Sequence, residues 1–157
     1  MTAMQDEEIK SALRLFCEFN GIEVPETIDD DVIAIDVNGV TEIWLSYLDA
    51  GELEVYAEIE GIDTDDPGIQ RLLLESNFMG MATGSARFAI SPVNDKAVLS
   101  ERWNYERLLA ENAPEGLGRF AAMVESWRTE GVALLQSKAR GDEEQPGVPE
   151  NAEIFRL

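Results

Sequence analysis

One segment of this 157-residue chain constrains its fold more than any other, because residues 52–60 alternate between two kinds of side chain without a break. One set is Leu53, Val55, Ala57 and Ile59, and the other is Glu52, Glu54, Tyr56, Glu58 and Glu60. Successive side chains of a strand point to opposite faces, so this strand buries one face and exposes the other. A sheet with one wet face is typical of antiparallel pairing.

Two further strand segments precede this one and extend the meander. Residues 32–37 are rich in β-branched side chains and end at Asn38-Gly39, which favours a tight hairpin turn. Residues 42–48 follow, in which Ile43, Leu45 and Tyr47 alternate with Trp44, Ser46 and Leu48. Both faces are therefore largely apolar. One face can pack against the protein's own helices, which leaves Trp44 and Leu48 in need of another cover.

The segment before the meander is predicted to be a helix over residues 5–20, ending at Asn20-Gly21. The stripe along this helix is Ile9, Leu13, Phe16, Cys17 and Asn20. Cys17 lies on the stripe and is expected to be packed rather than reactive. Leu15 and Phe19 lie off the stripe, where they either widen it or offer apolar surface to something else.

A second helix is predicted to start at Asp66-Pro67, with the aspartate as N-cap and the proline at the first helical position. One face carries Ile69, Leu72, Leu73 and Ser76, and another carries Leu74 and Phe78. A short helix that is apolar on two sides is usually buried on both, and in a small domain the second cover is often a partner subunit.

Two more strands and a long helix follow. The strands are predicted at about residues 86–93 and 97–103, and a short helical turn or ordered loop at residues 104–112. The last helix is predicted from Pro114 to about Ala139. Its apolar stripe is Leu117, Phe120, Val124, Trp127, Gly131 and Leu134, in which the glycine indicates a close approach of the backbone or a weak point.

The fold class that follows is α+β. We expect an antiparallel twisted sheet of about five strands with three helices, in the order α-β-β-β-α-β-β-α. One domain is predicted over residues 1–140, followed by a flexible acidic tail over residues 141–157. The N-terminus has no apolar run typical of a signal, and no stretch is apolar enough to span a membrane. A cytoplasmic location is therefore expected.

The charge of the chain excludes several partners. Twelve bases stand against 32 acids, which gives a net charge of −20. Residues 1–66 hold 19 of the acids and two bases, a net of −17, and residues 67–157 carry only −3. Nucleic acid and anionic membrane are poor partners for such a surface. The charge either keeps the protein soluble or attracts a basic partner.

Catalytic and metal chemistry lack their usual residues. The chain has no histidine and only Cys17, so a Ser-His pair, a disulfide within the chain and a Cys/His zinc site are all excluded. Asp63 to Gly68 resemble the opening of a calcium loop, but Leu74 stands where the closing glutamate is needed. We expect no enzyme, no metal site and no cofactor. Because 32 acids offer many carboxylate pairs, an acidic hydrolase stays as an alternative.

Binding through apolar surface is the function that these residues favour. The candidates are Leu15 and Phe19 on the first helix, Trp44, Leu48 and Tyr56 on the second face of the sheet, and Met79 and Met81. Each of these side chains could instead complete the core. Taken together with the acidic surround, they predict a module that binds a partner protein.

The order of elements and several short segments resemble the class I type III secretion chaperones of the Tir chaperone (CesT-like) family. Leu72-Leu73-Leu74-Glu75-Ser76-Asn77-Phe78 resembles the Leu-Leu-x-x-Asn helix end of that family. Phe88-Ala89-Ile90 followed by Ala97-Val98-Leu99 resembles its two-strand segment. Asn20-Gly21-Ile22 and Glu125-Ser126-Trp127 are similar to the step after its first helix and to its last helix. The resemblance covers about residues 5–138.

The resemblance implies a cytoplasmic bacterial homodimer without catalysis. Its dimer interface would use Ile69, Leu72, Leu73 and Phe88. It would bind the N-terminal region of a secreted effector in extended form, and keep it soluble and competent for the secretion ATPase or sorting platform. The effector-binding residues assigned by pattern are Leu15, Phe19, Trp44, Leu48 and Tyr56. An alternative on the same fold is a regulatory protein that binds an anti-activator or another chaperone.

Overall fold

The structure, a computed structural model, describes residues 3–23, 32–37, 41–48 and 51–141. The helices are α1 (Ala3–Phe19), α2 (Pro67–Ser76), α3 (Tyr105–Leu109), α4 (Ala113–Ser126) and α5 (Val132–Ala139). The strands are β1 (Val32–Val37), β2 (Thr41–Tyr47), β3 (Glu52–Glu58), β4 (Arg87–Ile90) and β5 (Ala97–Asn104). A 3₁₀ turn at Phe78–Gly80 follows α2, and a π-helical turn at Trp127–Gly131 joins α4 to α5.

The five strands form one antiparallel sheet in the order β1-β2-β3-β5-β4, which confirms the α+β class and the meander. The register places Ile35 opposite Ile43 and Leu45 opposite Val55, and all four side chains are buried. In β3 the burial alternates residue by residue, as the sequence pattern predicts. The buried face of the sheet therefore belongs to the core, and the face that carries the glutamates is the outer one.

The chain divides into two compact units, and the first holds residues up to 57 together with residues 101–122. Within this unit α1 contacts α3. Leu13, Phe16 and Cys17 of α1 are buried, as predicted, while Asn20 is exposed and instead donates from Nδ2 to the Phe16 carbonyl oxygen at 2.8 Å. The side chain of Ile9 is outside the described set.

The second unit holds residues 58–100 and the chain from residue 123 onward. In this unit, the indole Nε1 of Trp127 donates to the Ala82 carbonyl oxygen at 3.1 Å. The Trp127 ring also meets the ring of Phe88 edge-on, with 4.6 Å between the ring centroids. Here α2 contacts both β4 and α5, so these three elements share one core.

The predicted start of α2 is confirmed at the level of atoms. The Asp66 carboxylate accepts hydrogen bonds from the backbone N–H of Gly68 and of Ile69, at 2.8 and 3.4 Å, and Pro67 is the first helical residue. These bonds satisfy donors that a helix start leaves unpaired. Asp66 therefore serves as a helix cap, as predicted.

The predicted stripe of the last helix is wrong at one residue. Leu117, Phe120, Val124 and Trp127 are buried as expected, but Leu134 is only half-buried and Leu135 takes the buried place. The π-helical turn explains the shift, because its wider turn takes up one extra residue and moves every later position by one.

Other differences are small. The fourth strand is shorter than predicted, ending at Ile90 instead of Val93, because Ser91 to Lys96 form the turn, with Asp95 at a φ of 59°. Residues 104–112 contain the short helix α3, a fourth helical element not counted among the three. The Asn38-Gly39 turn and the 142–157 part of the tail lie outside the described residues. No described helix is both long and apolar enough to cross a membrane.

Candidate protein-binding surfaces

An aromatic pair lies on the outer face of the sheet. Trp44 of β2 and Tyr56 of β3 are directly opposite each other in the register, and their rings stack with 6.4 Å between centroids. Both side chains are half-buried, on the face opposite the buried Leu45 and Val55. Cross-strand aromatic pairs stabilise a sheet and at the same time present a flat apolar surface.

Charged side chains flank this pair. Arg102 of β5 lies 3.3 Å from a carboxylate oxygen of Glu54 and 3.5 Å from one of Glu52. Leu48, just past the end of β2, is exposed. Of the five predicted effector-binding residues, Trp44 and Tyr56 are thus brought into contact, with Leu48 beyond the strand end.

A groove between α1 and α3 is lined by another of the predicted effector-binding residues, Leu15. Its volume is about 420 Å³, and it is lined by Glu7, Ser11, Ala12 and Leu15 of α1 and by Tyr105 and Leu109 of α3. Leu15 and Leu109 are exposed by 42% and 43%. Phe19, four residues after Leu15 on the same helix, is 83% exposed. These side chains form an apolar surface that the described part of the first unit leaves uncovered.

A second groove, of about 360 Å³, lies between α2 and β4 in the other unit. It is lined by Gln70, Leu73, Leu74, Phe88, Ala89 and Ile90. Ile69, Leu73 and Phe88, predicted for a dimer interface, are buried within one chain, and Leu72 is half-buried. The side chains available to a partner here are instead Leu74, 71% exposed, and Ile90.

Asn77 ties α2 to the edge of the sheet. Its Oδ1 accepts from the backbone N–H of Phe88 at 2.7 Å, and its Nδ2 donates to the Phe88 carbonyl oxygen at 3.2 Å. Both backbone groups of Phe88 are therefore engaged by a side chain. Because β4 is the last strand of the sheet, this amide occupies a place where an added strand would bond. At the opposite edge, no described strand pairs with the outer side of β1.

Among the described residues, local surroundings shift the pKa of several titratable groups. Burial, with a smaller contribution from Glu18, raises the pKa of the Cys17 thiol, which makes this packed cysteine a poorer nucleophile. The pKa of Glu58 is lowered by hydrogen bonds from Asn94 and Lys96, as expected for a surface ion pair. Within the described ranges no cluster of three or more histidine, cysteine or acidic residues could hold a metal ion.

The antiparallel five-strand sheet with helices before, within and after it is a fold shared with solved structures, among them a chain of the complex between the Yersinia pestis type III secretion chaperone SycH and a fragment of YscM2. The family is identified by the sequence. Residues 11–128 match the model of the Tir chaperone protein (CesT) family, and the chain belongs to that family. The predicted resemblance is confirmed. A sequence search of curated proteins finds no match.

Solved structures share the fold at low sequence identity. A chain of the ExsC–ExsE complex is 17% identical with a TM-score of 0.61, covering 82% of this chain and 95% of its own. A chain of the HopA1–SchA chaperone–effector complex is 15% identical with a TM-score of 0.57, covering 83% and 97%. A chain of the ExoU–SpcU heterodimer from the Pseudomonas aeruginosa type III secretion system is 18% identical with a TM-score of 0.53, covering 78% and 96%.

Three features of these surfaces are not indicated by the sequence pattern. Leu109 and Tyr105 fall in a short segment without a readable period, and only their position beside α1 gives them a role. Ile90 was predicted as part of a strand but not as an exposed side chain of a groove. Asn77 belongs to the segment that resembles a family motif, yet its bonds to β4 join residues eleven apart in the chain, which no local pattern indicates.

Proposed function

We propose that this protein is a type III secretion chaperone that binds the N-terminal chaperone-binding region of a secreted effector in extended form, keeping it soluble and export-competent. Membership of the Tir chaperone family supports the chaperone role. The observation that carries the binding mode is the stacked Trp44–Tyr56 pair on the outer face of the sheet. A flat aromatic surface accepts apolar side chains of variable identity.

The effector backbone would bind by strand addition at β1. Main-chain hydrogen bonds give such binding its strength, and alternate side chains give it specificity. Of the two edge strands, β4 has the Phe88 backbone groups already bonded to Asn77, which favours β1. A strand added at the outer side of β1 would lie next to Ala34, the β1 residue that pairs with Trp44 of β2.

The proposal also covers the oligomeric state of the protein and its location in the cell. The protein works as a cytoplasmic bacterial homodimer, without catalysis, cofactor or metal, and delivers its cargo to the secretion ATPase or sorting platform. The α2–β4 groove, with exposed Leu74 and Ile90 above buried Leu73 and Phe88, would supply the dimer contact. Residues 1–140 would form the chaperone domain and residues 141–157 a flexible acidic tail.

A regulatory role on the same fold is the second candidate. The fold is shared with a chain of the ExsC–ExsE complex, which supports a role as the binding partner of another protein. In that case the same surfaces would hold an anti-activator or another chaperone. The two roles differ in the identity of the bound protein, so they are separated by what forms a stable complex with this chain.

Co-expression with the product of the adjacent gene tests the proposal. A stable complex with the N-terminal region of a secreted protein is expected, and a Trp44→Ser/Tyr56→Ser double variant should weaken it by about 2 kcal/mol or more, because aromatic anchors dominate such interfaces. Val93→Ser, at a 91% exposed side chain, is the matched control. Recovery of only a transcription-factor partner would instead establish the regulatory role. A complex unaffected by the double variant would exclude the aromatic pair as the binding surface.

A further inference from the structure

We propose that the α1–α3 groove is a specificity subsite that takes a basic, apolar stretch of the partner: a large apolar side chain with lysine or arginine about four residues away. This inference rests on the proposed function, because the partner is the same bound protein. It adds a second contact point to the Trp44–Tyr56 pair, at a place with its own chemistry.

The groove is a fixed feature of the first unit. Asn104 caps α3, its Oδ1 accepting from the backbone N–H of Arg107 at 2.8 Å. The backbone N–H of Tyr105 donates to the Gly51 carbonyl oxygen at 3.2 Å, which fixes the start of the helix. Tyr105 and Leu109 are four residues apart, so both project from one side of α3 towards α1.

The floor of the groove is apolar. Ala12, Leu15 and Leu109 contribute side chains, and the volume of about 420 Å³ lies in the range of about 300–1,000 Å³ found for ligand sites. Leu15 and Leu109 keep 42% and 43% of their surface exposed, although each lies against the opposite helix. A large apolar side chain seated between them would remove that surface from water.

The charge around the groove selects a cation. Among the side chains that the structure describes, Glu7 is the one charged group that lines the groove, and Glu106 of α3 is exposed. Arg107 instead interacts with Trp103 and Glu101. Its guanidinium lies 3.9 Å from the centroid of the Trp103 ring and 3.7 Å from a carboxylate oxygen of Glu101. The whole first unit holds eighteen acids and five bases, a net charge of −13. A basic partner is therefore attracted and an acidic one repelled.

The spacing of the motif follows from the geometry of α1. Glu7 precedes Leu15 by eight residues, which is about 12 Å along a helix axis. An extended chain rises about 3.3 Å per residue, so a segment lying along the groove covers that distance in about four residues. The apolar anchor would contact Leu15 and Leu109, and the cation would reach the carboxylate of Glu7.

Peptide binding to the full-length protein tests this assignment. The probe is a short fluorescent peptide rich in serine and glycine that carries two adjacent leucines and a lysine at the stated spacing. A matched peptide has glutamate in place of the lysine. We expect the lysine peptide to bind about threefold to tenfold more tightly at low salt, with the difference shrinking as salt is added.

Variants locate the binding. Leu15→Ser and Leu109→Ser should each weaken binding of the lysine peptide about tenfold, since each removes half-exposed apolar contact area. Glu7→Gln should remove the preference for lysine over glutamate while both peptides still bind. Val93→Ser and Glu130→Gln, at exposed positions of the other unit, are the controls for apolar loss and for charge loss and should leave both peptides unaffected.

Two outcomes would overturn the inference. One is the absence of binding of the lysine peptide to the unmodified protein up to about 1 mM. The other is unchanged affinity in both the Leu15→Ser and Leu109→Ser variants. The cargo complex separates this failure from failure of the proposed function: if cargo binds the unmodified protein and both groove variants equally well, only the groove assignment is wrong. If no cargo complex forms at all, the proposed function is wrong.

Discussion

At the scale of single residues, Gly131 shows how one missing methyl group allows a helix to change its winding. A Cβ at this position would meet the Trp127 ring, lying 2.8 Å from Cδ2 and closer still to Cε3. The Trp127 side chain cannot easily move, because its Nε1 is bonded to the Ala82 carbonyl oxygen and its ring packs against Phe88. The close approach expected from the sequence is therefore present, and its partner is the indole of the same turn.

Gly131→Ala should destabilise the protein by about 1–3 kcal/mol, because the added methyl group overpacks the Trp127 ring. Gly118→Ala in α4 is the matched control, since a Cβ there meets nothing within 4 Å. That control should be neutral or stabilising by up to about 1 kcal/mol, as expected for alanine in place of glycine in a helix. Urea unfolding followed by circular dichroism measures both. Equal effects of the two substitutions would show that the Trp127 contact is not the constraint.

At the scale of elements, local chemistry decided which predictions were accurate. The start of α2 was located to the residue, because Asp66 and Pro67 are a cap and a first-turn residue whose action needs no distant partner. The bounds of β1 were equally accurate, since β-branched side chains bounded by turn residues indicate a strand. The fold class and the order of the main elements could therefore be predicted from the sequence.

Elements that depend on distant neighbours could not be predicted in the same way. The predicted apolar stripe, with spacings of three and four residues, assumes an unbroken α-helix. It therefore indicates Leu134 as a buried residue, whereas the π-helical turn shifts the buried position to Leu135. The buried state of Leu73 and Phe88 within one chain depends on how α2 meets β4. The sequence indicates that these side chains are buried, but it does not indicate against which surface they pack.

The end of β3 and the start of β5 are linked by a small charge cluster whose strength depends on pH. Glu58 accepts hydrogen bonds from Asn94 at 2.8 Å and from Lys96 at 3.1 Å, and Lys96 also pairs with Glu60 at 2.8 Å. The bonds from Asn94 and Lys96 hold the pKa of Glu58 below its usual 4.5. The ionised carboxylate is thus preferred in the folded state, so its contribution is present above pH 4.5 and is lost as the pH falls through the folded pKa.

Glu58→Gln should lower Tm at pH 7 by about 1–2 °C, a small effect because these side chains are partly exposed and screened by solvent. The difference between the unmodified protein and the variant should shrink below about pH 4.5 and vanish at lower pH. Thermal unfolding across a pH series measures this. Glu111→Gln, at an exposed turn before α4, is the control and should show no such convergence. A constant difference at every pH would mean that the charge of Glu58 contributes nothing.

At the scale of the whole molecule, the two units carry different amounts of charge. The first unit has a net charge of −13 and the second, with fourteen acids and seven bases, has −7. The aromatic pair and the α1–α3 groove both belong to the more acidic unit, while the α2–β4 groove belongs to the other. Surfaces proposed to hold cargo thus carry the stronger field, and the surface proposed for self-association carries less repulsion between copies.

The proposed dimer contact leads to a prediction about mass. Leu74 is 71% exposed in one chain, so an aspartate there should leave the protomer folded. In a dimer, the same carboxylate would be buried without a partner, which is costly. By light scattering, the unmodified protein should have a mass near twice 17.4 kDa, and Leu74→Asp should shift it towards 17.4 kDa with an unchanged circular dichroism spectrum.

Two further substitutions serve as controls for this experiment. Val93→Asp places the same charge at another highly exposed apolar residue and should leave the dimer intact. Leu73→Asp should unfold the protomer as well, because only 4% of the Leu73 side chain is exposed within one chain. If Leu74→Asp stays a dimer of unchanged stability, the α2–β4 groove is not the contact, because an interface cannot enclose an unpaired carboxylate without losing affinity.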